Sequence, residues 1–335
     1  MSQEERAAPA EITASSVKTI RGRLGEYVLE TPVHHWRSSA LSELLSTGTD
    51  VFLKLEFLQY TGTFKVRGAF NVLLSQGPNA LQHGVTAISA GNHAIATAYA
   101  AQQLGLSAKV VMLKHANPFR VELCRSLGAE LILAEDAQEG FMQVERLVRD
   151  ESRFFVHPFD GIHTSLGTAT LGYEFCHQVD ALDAVIVPIG GGGLASGVAA
   201  AVKAIAPKCA VYGVEPEGAP TMTRALEAGK PVTLEAKDLN TIADSLAAPF
   251  AGTTSLELCK AHLDDVVLLT DDEILKAQAL AFRDLKFALE PAGAAATAGL
   301  LGPLRERLSG LRVGIVACGT NIDEQTFHEQ LNRLS

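Results

Sequence analysis

Short apolar runs alternate with amphipathic or alanine-rich stretches along most of the chain. Six of the runs predict buried strands, because they are apolar and bounded by turn residues or glycine. They cover residues 85–89, 109–113, 129–135, 184–189, 210–216 and 312–318. The intervening stretches have helical spacing, and several end on glycine. Buried strands separated by helices are typical of an α/β protein with mostly parallel sheets.

The segment TGTFKVRGA, residues 61–69, places a lysine at the predicted start of a helix. Apolar residues recur at helical spacing from Val66, so Lys65 falls in or beside the first turn. The positive end of the helix dipole disfavours a protonated amine there, and burial would lower its pKa further. A neutral lysine can attack a carbonyl group. A solvated surface lysine remains the alternative for this segment taken alone.

Four consecutive glycines follow a predicted strand and open a helix. They are Gly190, Gly191, Gly192 and Gly193. Such a loop presents backbone N–H groups to an anion and lets a phosphate approach closely. The pattern also fits a dinucleotide fingerprint, with Glu215 at the spacing of a ribose-binding acid. This loop alone therefore leaves a nicotinamide-dependent oxidoreductase, or simple close packing of a strand and a helix, as alternatives.

Two further loops of small polar residues follow predicted strands. One is Ser89-Ala90-Gly91-Asn92-His93, whose amides suit a carboxylate or a ring oxygen, and the other is 318–321, Cys-Gly-Thr-Asn. Together with a lysine and a phosphate loop, they fit one cofactor well, pyridoxal phosphate.

Composition narrows the function classes. The chain has 335 residues, enough for two domains, and its net charge of −10 disfavours nucleic acid and anionic membranes as partners. Five cysteines are scattered without a CxxC pair, which favours a reducing cytosol. The N-terminus lacks the apolar core of a signal peptide. The uncharged stretch 184–202 contains four glycines and a proline, so a strand, a loop and a helix explain it better than a membrane span.

The motifs TGTFKVRGA, SAGNHA, PIGGGGLASG, EPAGA and CGTNID resemble, in this order, those of the fold-type II pyridoxal-phosphate enzymes. The resemblance is to the threonine/serine dehydratase and serine racemase group and spans roughly residues 20–325. It implies two open, twisted, mostly parallel sheets flanked by helices, like the β subunit of tryptophan synthase, with the cofactor in the cleft between domains. The large domain is expected at 1–83 and 157–335, and a small mobile domain at 84–156.

The resemblance also implies roles for individual residues around the cofactor. Lys65 would bond the cofactor aldehyde and act as general base, while Phe64 would pack against the ring. Asn92 would meet the ring hydroxyl, and the segment Gly190 to Leu194 would hold the phosphate. Cys318 stands where the family usually has a serine facing the ring nitrogen.

On the substrate side, the resemblance assigns Ser89, Ala90, Gly91 and His93 to the loop that grips the substrate carboxylate. Glu290 matches an acidic residue near the cofactor. Racemising members carry serine at the position of Ala90, and alanine cannot exchange a proton, so elimination is favoured over racemisation.

Other differences between this sequence and the family's usual motifs concern the substrate pocket and a metal site. The segments 165–168 and 243–245 differ from the usual GQGT and ADG, which leaves the identity of the β-substituent open. Glu215 and Ala219 match two ligands of a divalent cation found in some relatives, but Thr221 replaces the second acid. We therefore expect no metal site.

The prediction is a dehydratase that eliminates water from a 3-hydroxy amino acid to give a 2-keto acid and ammonia. Threonine, serine, 3-hydroxyaspartate and 3-phenylserine are all candidates. An amino-acid racemase and a β-replacement synthase are the alternatives within the family, and a nicotinamide oxidoreductase or a non-catalytic binding protein lies outside it. Relatives suggest a homodimer, and we expect it in the cytoplasm.

Overall fold

A computed structural model describes residues 11–89, 91–114 and 116–333. Each of the six predicted strands is present there, with its ends within one residue of the expected positions. The described residues contain ten strands: β1 (Val33–Trp36), β2 (Asp50–Leu55), β3 (Val85–Ile88), β4 (Ala108–Leu113), β5 (Glu130–Ala134), β6 (Phe154–Phe155), β7 (Ala184–Pro188), β8 (Ala210–Pro216), β9 (Asp265–Leu269) and β10 (Arg312–Ala317).

Helices fill the connections between the strands. In the described part of the chain they are α1 (Ala14–Leu24), α2 (Ser39–Leu44), α3 (Lys65–Leu74), α4 (Pro78–Leu81), α5 (Asn92–Gln103), α6 (Pro118–Ser126), α7 (Ala137–Glu151), α8 (Ile162–Gln178), α9 (Gly193–Ile205), α10 (Thr221–Ala228), α11 (Thr253–His262), α12 (Asp271–Leu280), α13 (Pro291–Leu301) and α14 (Glu324–Asn332). Short 3₁₀ turns lie at Glu56–Leu58, Ala236–Asp238 and Asp244–Leu246, and a π-helical turn lies at Ala281–Leu285. None of these helices is both long and apolar enough to cross a membrane.

The strands form two separate sheets. The large sheet has the order β1-β2-β10-β7-β8-β9, in which β1 alone runs antiparallel to its neighbour. The small sheet has the order β5-β4-β3-β6, and every pair in it is parallel. The predicted α/β fold with two mostly parallel sheets is thus confirmed.

Each sheet has its own apolar core, and α3 packs with the small one. The large core gathers around β7, β8 and β10, while the buried face of α3, including Val66 and Phe70, belongs to the cluster over the small sheet. All strands of the small sheet lie between Val85 and Phe155, inside the stretch predicted as a small mobile domain. That this stretch moves as a unit stays a prediction. The two cores place α3 and its lysine between the sheets.

Candidate active site

The loops that leave three buried strands meet around the start of α3. Cys318 follows β10, the glycine loop follows β7, and Ser89 follows β3, so all three lie at carboxyl ends of parallel strands, where α/β proteins bind ligands. The backbone joins the α3 segment to this edge. Thr63 forms an isolated antiparallel bridge with Gly319, and the Phe64 N–H donates to the Cys318 carbonyl at 3.3 Å.

Lys65 is the first residue of α3, as the spacing of apolar residues predicted. Its side chain is half-buried, and its Nζ donates to the Pro158 carbonyl at 2.8 Å. Burial lowers the pKa of Lys65 to about 8, although the neighbouring Glu290 carboxyl favours the charged form. A substantial fraction of the amine is therefore neutral near physiological pH and able to attack a carbonyl.

The glycine loop has no room for side chains. A Cβ on Gly191 would overlap the Phe159 ring, and one on Gly193 would overlap the Phe159 carbonyl. Gly192, the N-cap of α9, has φ +99°, a backbone conformation that favours glycine. The loop is therefore fixed tightly to the Phe159 segment, with its amides at the start of a helix.

Five helices begin at this site, and in each the side chain of the N-cap residue makes no capping hydrogen bond, while Thr63 Oγ1 accepts from the Lys65 N–H of α3 at 3.4 Å. They are α3, α5, α8, α9 and α13, and none has an acidic residue in its first turn. Residues of the first four line one cavity, among them Lys65, His93, Thr164 and Gly193. The free N–H groups and the dipoles of these helices make the site favourable for anions.

A buried polar network around Glu290, a neighbour of Lys65, links residues near the two sheets. The Asn92 amide donates to Glu290 Oε1 at 2.7 Å and to Ser245 Oγ at 3.2 Å, and it accepts from Asn321 Nδ2 at 2.8 Å. Arg120 of α6 donates to Glu290 Oε2 at 3.3 Å. Burial raises the pKa of Glu290 to about 7, although the Arg120 charge opposes the shift. The Glu290 carboxyl group is therefore fixed between the Asn92 amide and the Arg120 guanidinium.

Cys318 is buried, and its Sγ donates to the Ala292 carbonyl at 3.3 Å. Burial raises the pKa of its thiol well above the ordinary value. The thiol is therefore neutral and offers no charge to a group bound against it.

The loop predicted to grip a substrate carboxylate lies at the start of α5. Ser89 Oγ accepts from the Gly91 N–H at 3.1 Å, and a Cβ on Gly91 would lie 2.9 Å from Arg120 Cδ. His93 Nε2 contacts the Val156 carbonyl at 2.8 Å, and burial lowers the pKa of His93 to about 3, so the ring is neutral. Ala90, the residue that bears on racemisation, lies outside the described residues.

Glu215 has a structural task at a distance from Lys65. Its two carboxylate oxygens accept from the Met222 N–H at 2.6 Å and the Thr223 N–H at 2.8 Å, at the start of α10. Ala219 is buried on the turn between them. No group of three or more metal-ligating side chains occurs in the described ranges. Glu215 therefore caps the start of α10, whereas the oxidoreductase alternative required it to bind a ribose.

Sequence reasoning missed Arg120, although it singled out its partner Glu290. Arg120 is 5% exposed, and its Nη1 contacts the Asp244 carboxylate at 2.5 Å while its Nε donates to the Asn321 carbonyl at 2.9 Å. Nothing in the α6 sequence distinguishes it from a solvated arginine. Its burial depends on residues more than a hundred positions away.

The arrangement fits a phosphorylated aldehyde. Uncapped amides at the glycine loop suit a phosphate, and a half-buried lysine with a lowered pKa suits an aldehyde carbon. The neutral Cys318 thiol and the buried Asn92 amide offer contacts for a polar ring between these two ends.

The chain is similar to known proteins over most of its length. The family model described as pyridoxal-phosphate dependent enzyme matches residues 26–319. The chain is 52% identical to phenylserine dehydratase of Ralstonia pickettii over 95% of both chains, and 36% identical to L-threonine ammonia-lyase of Thermotoga maritima over 96% of this chain and 79% of that protein. The structure of maize serine racemase superposes with a TM-score of 0.87 at 32% identity, covering 96% of this chain and 97% of that one. The chain therefore belongs to the family of pyridoxal-phosphate-dependent enzymes.

Proposed function

We propose that the protein is a pyridoxal-phosphate-dependent dehydratase that removes water from 3-hydroxy amino acids, with a 3-aryl substrate of the 3-phenylserine type as its best substrate. The observation that carries the proposal is Lys65, whose amine has a lowered pKa where five uncapped helices begin. The 52% identity to a phenylserine dehydratase supports the aryl substrate. The products would be a 2-keto acid and ammonia.

The cofactor contacts are assigned as follows. Lys65 would hold the aldehyde end, the backbone amides from Gly190 to Leu194 the phosphate, and Asn92 the ring hydroxyl. Phe64, Cys318 and Glu290 would contact the ring. When bound, pyridoxal phosphate supplies an aldehyde for the substrate amine and an electron-withdrawing ring that makes the Cα proton acidic.

Lys65 is the general base of the reaction. Its neutral amine takes the proton from Cα, and the bond between Cβ and the hydroxyl oxygen then breaks. The hydroxide leaves as water after it receives a proton, which the newly formed Lys65 ammonium would supply. The released enamine hydrolyses in water to the keto acid and ammonia. Cys318, as a neutral thiol, stabilises no charge on the ring, which favours prompt elimination.

The substrate carboxylate is assigned to the start of α5. The N–H groups there have no side-chain cap, and Ser89 Oγ already orders the Gly91 amide. The loop would thereby orient Cα toward Lys65. Ser89, Ala90, Gly91 and His93 remain the residues proposed for this contact, with the His93 ring in a positioning role because its Nε2 is engaged by Val156.

Two alternatives within the family differ in their products. A racemase needs a second proton-exchanging group on the opposite face of Cα, and alanine at position 90 supplies none. A β-replacement synthase would add a nucleophile to the same unsaturated carbon. Chiral analysis and a thiol co-substrate distinguish these outcomes from water loss.

The assembly and compartment are also proposed. We place the enzyme in the cytoplasm because the five cysteines are all free thiols. We propose a homodimer, for which Leu58 and Tyr60, exposed at 46% and 49% next to the active-site segment, are candidate contacts. Sedimentation analysis of the holoenzyme tests this state.

Keto-acid release tests the function. The cofactor-loaded enzyme is assayed with 3-phenylserine, threonine, serine and 3-hydroxyaspartate, each in L and D forms. We expect keto acid and ammonia in equal amounts, with 3-phenylserine turned over best, and loss of turnover in Lys65→Ala. Lys276→Ala, at an exposed lysine of α12, is the matched control and should retain activity. A new amino acid formed only with added thiol would contradict dehydration.

A further inference from the structure

Three aromatic rings lie together, and one of them, His157, lines a cavity with Lys65. His157 meets Phe159 edge-on at 4.8 Å between centroids and 90°, and Phe250 meets Phe159 at 5.2 Å and 66°. Phe250 and His157 are 6.2 Å apart at 63°. His157, Phe159 and Phe250 are called the aromatic wall below.

The wall is held rigidly by its backbone. His157 Nδ1 accepts from the Phe159 N–H at 3.3 Å and the Asp160 N–H at 3.0 Å, so the ring carries its proton on Nε2. The Phe159 carbonyl accepts from Ser255 Oγ at 2.8 Å, and its ring fills the space beside Gly191. Burial lowers the pKa of His157, which keeps its ring uncharged. An uncharged ring fixed in this way presents a preformed aromatic face.

One ring of the wall lines the cavity in which the reacting carbon must lie. A general base must come within about 3 Å of the carbon that bears its proton, and Lys65 Nζ is 2.8 Å from the Pro158 carbonyl oxygen. Cα would then lie within about 6 Å of the Pro158 carbonyl oxygen. His157, the residue before Pro158, lines the same cavity as Lys65. A substituent on Cβ that extends toward this segment would meet the His157 side chain.

We propose that the aromatic wall is the specificity pocket for an aryl group on Cβ of the substrate, with His157 as the contact ring and Phe159 and Phe250 as positioning residues behind it. This inference rests on the proposed function. Aromatic pairs prefer edge-to-face or offset geometry at centroid separations of about 4.5–7 Å, the range in which these three rings already meet one another. The methyl group of threonine or the hydrogen of serine leaves such a pocket unfilled, so both bind less well.

Two substitutions at His157 separate a contact role from a structural one. His157→Asn keeps an acceptor for the two backbone N–H groups but removes the ring. His157→Phe keeps a ring but removes the acceptor. We expect His157→Asn to lower the ratio of kcat/KM for 3-phenylserine to that for threonine about tenfold, and His157→Phe to keep it within about twofold.

A second pair of variants tests the backing of the wall. Phe250→Leu should lower the same ratio about threefold, mainly through KM for 3-phenylserine. Phe282→Leu is the matched control, because Phe282 is also half-buried and meets Phe327 edge-on at 5.2 Å, away from the site. It should leave the ratio unchanged.

A binding measurement makes the test independent of turnover. L-Phenylalanine and L-2-aminobutyrate are 3-phenylserine and threonine without the leaving hydroxyl, and calorimetry with the holoenzyme gives the Kd of each. The account predicts tighter binding of L-phenylalanine, lost in His157→Asn and kept in His157→Phe. If His157→Asn still binds L-phenylalanine more tightly than L-2-aminobutyrate, or if His157→Phe loses this preference to the same extent, the proposed role of the aromatic wall is wrong. If no 3-hydroxy amino acid yields a keto acid, the proposed function is wrong. The ratio of the two Kd values still tests whether the aromatic wall binds an aryl group.

Discussion

Lys65 combines two features that oppose its charge, a half-buried amine and a position at the positive end of α3. Its lowered pKa of about 8 means that protonation below this pH removes the nucleophile. Tight contact with Pro158 orients the amine. The residue is thus prepared for bond formation before any ligand arrives.

The pH dependence of cofactor capture follows from this pKa. The second-order rate of holoenzyme formation from apoenzyme and pyridoxal phosphate should rise about tenfold per pH unit below pH 8 and level off above it, because only the neutral amine reacts. Stopped-flow absorbance measures the rate. A rate that is flat from pH 6 to pH 8 would show that the Lys65 amine is already neutral, against the expected titration.

Gly191 tests the packing of the phosphate loop. Gly191→Ala places a methyl group in the Phe159 ring, and overpacking of this kind costs about 1–3 kcal/mol. We expect the Kd for pyridoxal phosphate to rise about tenfold or more, measured by equilibrium dialysis. Gly22→Ala, in α1 with open space around it, should leave the Kd unchanged. Equal affinity in both variants would show that the close packing of Gly191 against Phe159 is not needed for cofactor binding.

At the scale of elements, α3 is fixed to α8 by buried charges. Arg67 of α3 contacts Glu174 of α8 at 2.7 Å and Glu56 at 2.8 Å, and Lys54 of β2 contacts Glu174 at 2.9 Å. These four side chains are at most 3% exposed. The cluster holds the helix that carries Lys65 at a fixed position on the large sheet.

Removing Glu174 from this cluster takes from Lys54 the carboxylate that it contacts and leaves Arg67 with Glu56 alone. Glu174→Ala should lower the free energy of unfolding by about 3–5 kcal/mol, measured by urea denaturation. Glu227→Ala breaks only an exposed pair with Arg224 and should cost at most about 1 kcal/mol. Similar values for the two variants would mean that the cluster contributes nothing beyond a surface pair.

The strands were better predicted than the contacts between elements. β8 has the expected bounds, whereas β1, β2, β6 and β9 were not predicted. β2 contains the buried Lys54, and the two residues of β6 give no periodic pattern. Sequence spacing reports which residues are apolar, and a charged residue that is buried by distant partners gives no such signal.

At the scale of the whole molecule, polar contacts join residues beside the small sheet to residues beside the large one, and Arg120 makes several of them. It reaches from α6, beside the small sheet, to Asp244 and Glu290 on the other side of the cleft. We propose that these contacts hold the cleft closed.

Hydrogen exchange tests this closure. Arg120→Gln should speed amide exchange in α6 and at 244–246 and leave β7 unchanged, because the ion pairs across the cleft are lost. Arg125→Gln, on the same helix but in an exposed pair with Glu122, is the control and should change neither segment. Unchanged exchange in Arg120→Gln would exclude Arg120 as the closing contact.

The site could be predicted in part because its loops are local in sequence. The glycine loop, the start of α5 and the start of α3 are each recognisable from a few consecutive residues. Arg120 pairs with Asp244, and His157 lies near Lys65, although the residues of each pair are far apart in the chain, so only the folded structure shows these contacts.

Borohydride reduction of the holoenzyme, followed by proteolysis and mass spectrometry, tests the central claim most directly. The account predicts a single pyridoxyl group on Lys65. A pyridoxyl group on another lysine, or none on the protein, would contradict it.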